Sequence, residues 1–160
     1  MAQQCSAVAA DTKVETPEGS MTIKAVAGNA IAVMTRNAEG HHIFRLMKHV
    51  EKTAEQQPVL KFTLENGRSF RLAPTQIVFK TGMIEARAGE LVVGDALEPA
   101  FTFPAGYVYR DDQGSERTSA GAIVVTKIEP GGAADLYRLA VNQTGTFFLS
   151  AGVLCKADGD

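Results

Sequence analysis

Turn signals interrupt this chain so often that no strong helical periodicity develops anywhere along it. Between them lie β-branched or alternating runs of four to eight residues, and fifteen glycines punctuate the whole. That pattern predicts an all-β chain. Thr12–Thr16 alternates and stops at Pro17-Glu18-Gly19, a turn sequence. A short element, Ile23–Val26, follows, and Gly28-Asn29 turns the chain into a run from Ala30 to Thr35. After the polar turn Asn37–Gly40 comes the apolar run Ile43–Val50. Later strands are expected at Ile123–Ile128, Leu136–Val141 and Thr146–Leu149, with a turn at Pro130-Gly131-Gly132 and a closing element at Gly152–Cys155. Pro99–Thr118 lacks a clean pattern and is expected to be an extended hairpin or loop.

The clearest hairpin is Val59–Ala73 (VLKFTLENGRSFRLA). A two-residue Asn66-Gly67 turn would pair Phe62 with Arg71 and send the apolar residues of the two strands to opposite faces. A three-residue loop, Glu65-Asn66-Gly67 with Gly67 left-handed, pairs Phe62 with Phe70 and Leu60 with Leu72. One face is then uniformly apolar, and this register is the expected one.

The chain also repeats itself. Residues Val26–Ile31 (VAGNAI) and Val92–Leu97 (VVGDAL) agree in residue type at every position. Thr12–Gly19 and Thr75–Gly82 share a Thr, an aliphatic two residues later and a closing Gly. Two copies cannot build a solenoid. They predict internal pseudo-two-fold symmetry, each half burying the other's apolar face.

Charge and length exclude several functions. At 160 residues with 45% hydrophobic content, the chain is expected to be a single domain, residues 1–160, with a core large enough to need no staples. Its formal charge of −2 comes from scattered acids and bases, with no basic block for a phosphate backbone, so nucleic acid is not an expected partner. The first residues carry no basic start or secretory apolar run, and no segment approaches the roughly 20 apolar residues of a spanning helix. A soluble, cytoplasmic chain without a membrane partner is expected. Cys5 and Cys155 are too few for a disulfide framework and do not cluster as zinc ligands. Adjacent His41 and His42 point to opposite faces of a strand, a solvated edge rather than a metal pair. No metal or cofactor is expected. Asp11, Asn29 and Asp95 read as turn formers whose side chains bond nearby backbone.

The opening CSAVAADTKVETPEG, the hairpin leading into Ala73-Pro74-Thr75-Gln76, the Leu91–Asp95 turn, and Tyr137–Val141 through Phe147-Phe148 to Gly152-Val153-Leu154 together resemble the Hint module of inteins and Hedgehog proteins. The resemblance spans nearly the whole chain and rests on the order and spacing of these pieces. It implies an all-β Hint fold, duplicated internally, with the two chain ends meeting at the site.

It also implies a chemistry. In that family an opening cysteine attacks the carbonyl before it, turning a peptide bond into a thioester. Here Cys5 would attack Gln4, so the substrate would be the chain's own N-terminal flanking peptide. The step needs an acid to protonate the departing nitrogen and donors to hold the oxyanion. The family's acid is the histidine of a Thr-x-x-His motif, and the matching positions are Ala73 and Gln76. A glutamine donates hydrogen bonds and has no proton to give, a loss of roughly 10²- to 10⁴-fold on general-acid terms. A second family histidine falls at Gly145, an acidic position falls at Arg138, and the terminal His-Asn pair falls at Lys156-Ala157. Without that asparagine, release of the C-terminal side by cyclisation is excluded. Six residues separate Cys5 from Thr12 where the motif usually has about four, so the strict alignment partner of the nucleophile could be Ala7 in place of Cys5.

Two readings follow. The first is an autoprocessing domain limited to an acyl shift at Cys5 and cleavage before it, with Gln76 and Cys155 beside it in the site. The second is an inactive Hint-fold binding or structural module with an unknown protein partner. Cys155 has its own alternative, a small buried hydrophobe in the last strand. If the ends meet as the resemblance implies, a Cys5–Cys155 disulfide could also lock them. Pro99–Thr118 is too short to hold a homing nuclease.

Overall fold

The computed structural model describes residues 6–65, 67–98, 106–110, 114–118 and 123–158. Strands dominate them. In chain order they are β1 (Val8–Ala9), β2 (Lys13–Thr16), β3 (Gly19–Thr22), β4 (Ala32–Arg36), β5 (His42–Leu64), β6 (Ser69–Leu72), β7 (Ile77–Lys80), β8 (Ile84–Arg87) and β9 (Ala96–Leu97). Then follow β10 (Val108–Arg110), β11 (Glu116–Thr118), β12 (Ile123–Val141), β13 (Thr146–Phe148) and β14 (Leu154–Lys156). A four-residue helix, α1 (Ile23–Val26), and one 3-10 turn (Ala88–Glu90) interrupt them. The all-β expectation holds, and β10 pairs with β11 as a hairpin inside the stretch that lacked a pattern.

The register of the β5–β6 hairpin is the one the apolar pattern demands. Phe62 pairs with Phe70 and Leu60 with Leu72, and the two phenyl rings stack 5.3 Å apart. Gly67 takes φ 87°, the left-handed position of a three-residue loop. Asn66 lies outside the described residues.

Two strands are far longer than the sequence pattern suggests. β5 runs 23 residues and β12 runs 19, and they pair antiparallel from Met47–Val141 to Leu64–Val125. The expected turn at Pro130-Gly131-Gly132 is not a turn. The chain continues straight through it as a bulge: Pro130 pairs with Leu60, the register slips before Ala133, and Gly132 absorbs the extra residue at φ 80°. A bulge tolerates a proline's missing N–H, so the residues that signal a turn serve here to bend a ladder. β5 likewise passes through the polar segment Glu51–Gln57, almost all of it exposed. The pairing with β12 shifts three times along it, at His49 (φ 55°), between Lys52 and Ala54, and at Gln56 (φ 47°). Asp135 on β12 holds the shift at Gln56, accepting from its backbone N–H (3.1 Å) and side-chain amide (3.2 Å). Those bonds, the backbone one foremost, draw the Asp135 carboxyl below its usual range.

The two repeated hexapeptides form matching turns. Asn29 N–H donates to Val26 O (3.0 Å) and Asp95 N–H to Val92 O (3.1 Å). Each turn is then pinned to a long strand by its glycine: Gly28 N–H donates to Val50 O of β5, and Gly94 N–H to Val125 O of β12. Asp95 also caps its own turn by accepting from Val92 N–H (2.9 Å). Asp11 does not act as a turn former in this way. Its carboxylate pairs with Arg71 across the fold at 2.7 Å. His41 and His42 are exposed, and the His42 ring meets Phe148 edge-on at 5.3 Å. Among the described residues no group of three or more His, Cys, Asp or Glu is placed to hold a metal, and no helix is long and apolar enough to cross a membrane.

The bulge makes a two-part prediction. A Cβ on Gly131 would sit 3.1 Å from Lys61 N and 3.2 Å from Val59 O, both backbone atoms that cannot yield. Gly131→Ala and Gly131→Asn are each expected to cost about 1–3 kcal/mol in urea unfolding. At Gly132 the space is open and only the positive φ resists. There Gly132→Asn is expected to lose measurably less stability than Gly132→Ala, because Asn visits the left-handed region more readily.

Candidate functional site

Both chain ends reach the same short stretch of β12. β1 pairs with it through Val8↔Tyr137 and Ala9↔Leu136, and Asp158 bridges to Ala140. Where the ends meet, a small polar cluster is sealed from solvent: Ser6, Gln76 and Asp158 are all buried.

Gln76 joins the ends directly. The hairpin β5–β6 delivers Ala73, whose N–H donates to Ala7 O (3.1 Å), and a tight turn closed by Gln76 N–H on Ala73 O places the glutamine beside it. The Gln76 Oε1 accepts from Ala7 N–H (2.7 Å), while its Nε2 donates to Lys156 O (3.0 Å) and Ile77 O (2.8 Å). The orientation of the amide is fixed by these partners, since a flip would set a donor against a donor and an acceptor against two acceptors. Both amide hydrogens are spent. One side chain thus ties the first strand to the last.

Ser6 and Asp158 tie them a second time. Asp158 Oδ1 accepts from Ser6 N–H (2.8 Å) and is 2.8 Å from Ser6 Oγ, and Asp158 N–H donates to Leu139 O (2.9 Å). The hydroxyl has one proton and two acceptors in reach; the carboxylate is nearer than Leu139 O at 3.2 Å and charged, so it takes the proton. The Ser6 oxygen in turn accepts from Leu139 N–H (3.0 Å). Arg138 Nε donates to Asp158 Oδ2 (2.6 Å), and its other arm reaches Glu51 (3.1 Å). The bond to Asp158, more than anything else, holds the Arg138 guanidinium charged and its pKa above the ordinary value. The buried carboxylate is therefore paired and fully bonded, as burial requires.

Of the residues singled out in the sequence, Gln76 stands in this cluster and Cys5 lies outside the described residues. The residue that faces Gln76 is Ala7. Cys155 pairs with Phe147 and Val78 inside the core and is fully buried, and burial alone pushes its thiol pKa far up. It is a free thiol held neutral, packed as a hydrophobe. Ala73 and Ala157 are buried methyls, Ala157 N–H donates to Gly145 O, and Lys156 turns outward to Glu85 (3.0 Å). The positions implied by the resemblance do converge, and they carry an amide, methyls, a backbone turn and an outward-facing cation.

Ser6 and Asp158 were not read from the sequence. The one feature of the sequence that bears on them is Arg138, a cation where the resemblance places an acid, and nothing local to it names its partner. The charge pair exists with its carboxylate at the far end of the chain.

No known family's sequence profile matches the chain, and no curated protein matches it. Solved structures do. The chain is similar to the Ssp DnaB mini-intein variant M86 with a TM-score of 0.76 at 13% identity, over 100% of this chain and 99% of that one. It is similar to the DnaB intein from Synechocystis sp. PCC 6803 with a TM-score of 0.69 at 14% identity, over 94% and 97%. The bacterial intein-like domain from Clostridium thermocellum gives a TM-score of 0.64 at 19% identity, over 94% and 98%. The fold is the Hint fold that the sequence resemblance implied.

Removing the Gln76 amide strands the Ala7 N–H and the Lys156 and Ile77 carbonyls in a dry site. Gln76→Leu is expected to cost about 3 kcal/mol or more in urea unfolding, and to speed hydrogen exchange at the Ala7 amide selectively. Ser6→Ala, which leaves the Ser6 N–H bond to Asp158 in place, is expected to cost about 1–2 kcal/mol.

Proposed function

We propose that this Hint-fold chain is a non-splicing module in which the family's reaction centre has become a clamp between the chain ends, leaving the domain to act by binding a partner protein. The observation that carries this reading is the bonding of Gln76. Where the family has an acid, this chain has an amide whose two hydrogens are committed to carbonyls and which has no proton to transfer. A departing amine would leave as an anion, and no other buried acid faces Ala7 among the hydrogen bonds described. The nucleophile position faced by Gln76 is a methyl group, and the terminal asparagine position is another. Full splicing and C-terminal cyclisation are absent from the repertoire of such a site.

The competing reading is an acyl shift at Cys5 that cuts the flanking peptide before it. It requires a thiolate, yet a free thiol of pKa near 8.5 is only a few per cent ionised at pH 7. It also requires an acid that Gln76 does not replace.

Intact-mass analysis decides between them. With a folded tag placed ahead of Gln4, the chain is expected to stay whole over days in dithiothreitol or hydroxylamine. Release that depends on Cys5, absent in Cys5→Ala, would overturn the reading, and the mass of the product would distinguish a cut before Cys5 from one before Ser6. A gain-of-function experiment probes the same logic. Restoring Ala7→Cys, Ala73→Thr and Gln76→His together is expected to produce thiol-dependent release, whereas Gln76→His alone is expected to produce none, because the nucleophile is still missing.

A further inference from the structure

A groove on another part of the surface shares no lining residue with the clamp between the ends. It measures about 990 Å³ and lies between β2, the β6 strand, the bulge of β12 and the turn after β13. Two independent features of it point to one kind of occupant.

The first is an open strand edge. Leu64 N–H donates to Arg68 O, so the bonded pairs of the hairpin alternate from there to Phe62–Phe70 and Leu60–Leu72. The peptide groups of Phe70 therefore face β5, and those of Ser69 and Arg71 face the other way; the Val8↔Leu72 bridge gives the Arg71 carbonyl to Ala9 N–H of β1, which leaves the Ser69 peptide groups and the Arg71 N–H toward the groove. On that side β1 pairs with β6 only at Leu72. Arg71 O takes the Thr12 hydroxyl at 3.0 Å, and no described strand lies beside Ser69. An exposed edge of this sort accepts an extended peptide as an added strand.

The second is charge. Lys13, Lys61, Arg68 and Arg71 line the groove against Asp11, Glu15 and Glu129, a local excess of cations in a chain that is acidic overall. Asp11 is neutralised by Arg71, and Glu129 pairs with Lys127 at 3.4 Å. Among the described residues, Lys13 and Lys61 have no carboxylate within ion-pair distance. Beside them the Ser150 hydroxyl oxygen is buried without a hydrogen-bond partner, on a residue whose carbonyl accepts from Arg68. Two unneutralised ammonium groups and an unpaired hydroxyl flank the open edge.

We infer that this groove binds an acidic peptide segment in extended conformation, its backbone adding to the Ser69–Arg71 edge and its carboxylates meeting Lys13 and Lys61. This goes beyond the silent-module reading and is independent of it: cleavage of the flanking peptide, if found, leaves the groove as it is.

The test uses the full chain, isotopically labelled, and a capped heptapeptide alternating glutamate with valine, beside a lysine–valine peptide of the same length. The acidic peptide is expected to bind saturably, to shift the amide resonances of Ser69, Arg71 and Ser150, and to weaken about tenfold or more when Lys13→Glu and Lys61→Glu are combined. Raised salt is expected to weaken it in parallel. Ser69→Pro, which removes the edge donor, is expected to lower affinity with an unchanged urea midpoint; if that variant misfolds, the charge-reversed variant carries the test. The inference is overturned by no saturation up to about 1 mM, by equal binding of the lysine–valine peptide, by resonance shifts confined to other surfaces, or by affinity that ignores the charge reversal.

Discussion

Everything in this fold hangs on the pairing of β5 with β12. The two strands run side by side from Met47–Val141 to Leu64–Val125, and each uses its remaining edge or its bulges to hold something else. β4 pairs with the first part of β5, β9 with the first part of β12, and the two matching turns at Gly28 and Gly94 each fasten to one of them. A ladder this long would coil if it were regular, because strand twist accumulates. The bulges at His49, Gln56 and Gly132 reset the register and bend the ribbon, and that bending brings the Leu136–Ala140 stretch of β12 under both chain ends. The site is a consequence of the ladder's shape.

What stands at that site can be weighed group by group. Three backbone groups converge there, one N–H from Ala7 and two carbonyls from Lys156 and Ile77. An amide supplies one acceptor and two donors and meets all three. A neutral imidazole supplies one of each, so it would leave a carbonyl unmet; a charged imidazolium would set a donor against the Ala7 N–H. Glutamine is the side chain that satisfies all three groups of this cluster at once. The same holds at Asp158, whose oxygens are occupied by Ser6 and Arg138.

The hairpin register was legible because its determinants are local: four apolar residues that must share a face and one glycine that must be left-handed. The repeated hexapeptides were legible for the same reason, since each closes a turn on its own first residue, Asn29 on Val26 and Asp95 on Val92, and only the bond from its glycine, Gly28 or Gly94, reaches out to a long strand. The long ladder was not. Glu51–Gln57 is a ribbon with both faces largely wet, so no apolar alternation marks it as a strand, and Pro130-Gly131-Gly132 carries the composition of a turn while serving as a bulge. Composition records which backbone angles a segment tolerates; only the partner strand decides whether it folds back or runs on. At the site, Gln76 was readable from motif spacing, and Ala7 from the same count. The Ser6–Asp158 bond spans almost the whole chain, and no local pattern encodes a partner that distant.

Charge gives the last step. Arg138 stands where the resemblance places an acidic residue, and Asp158, 20 residues further on, supplies the carboxylate that pairs with it. Separately, each would be a buried or half-buried ion that the fold could not tolerate; together they neutralise one another and orient Ser6. Such a pair adds little net stability beyond an apolar substitute of the same shape, yet it permits only one arrangement of the two ends. Its effect is on specificity: β1 must lie against Leu139 with Ser6 opposite Asp158, because a slip of one residue would strand the carboxylate. The ion pair fixes a register, and the register holds β1 and Asp158 against the same stretch of β12.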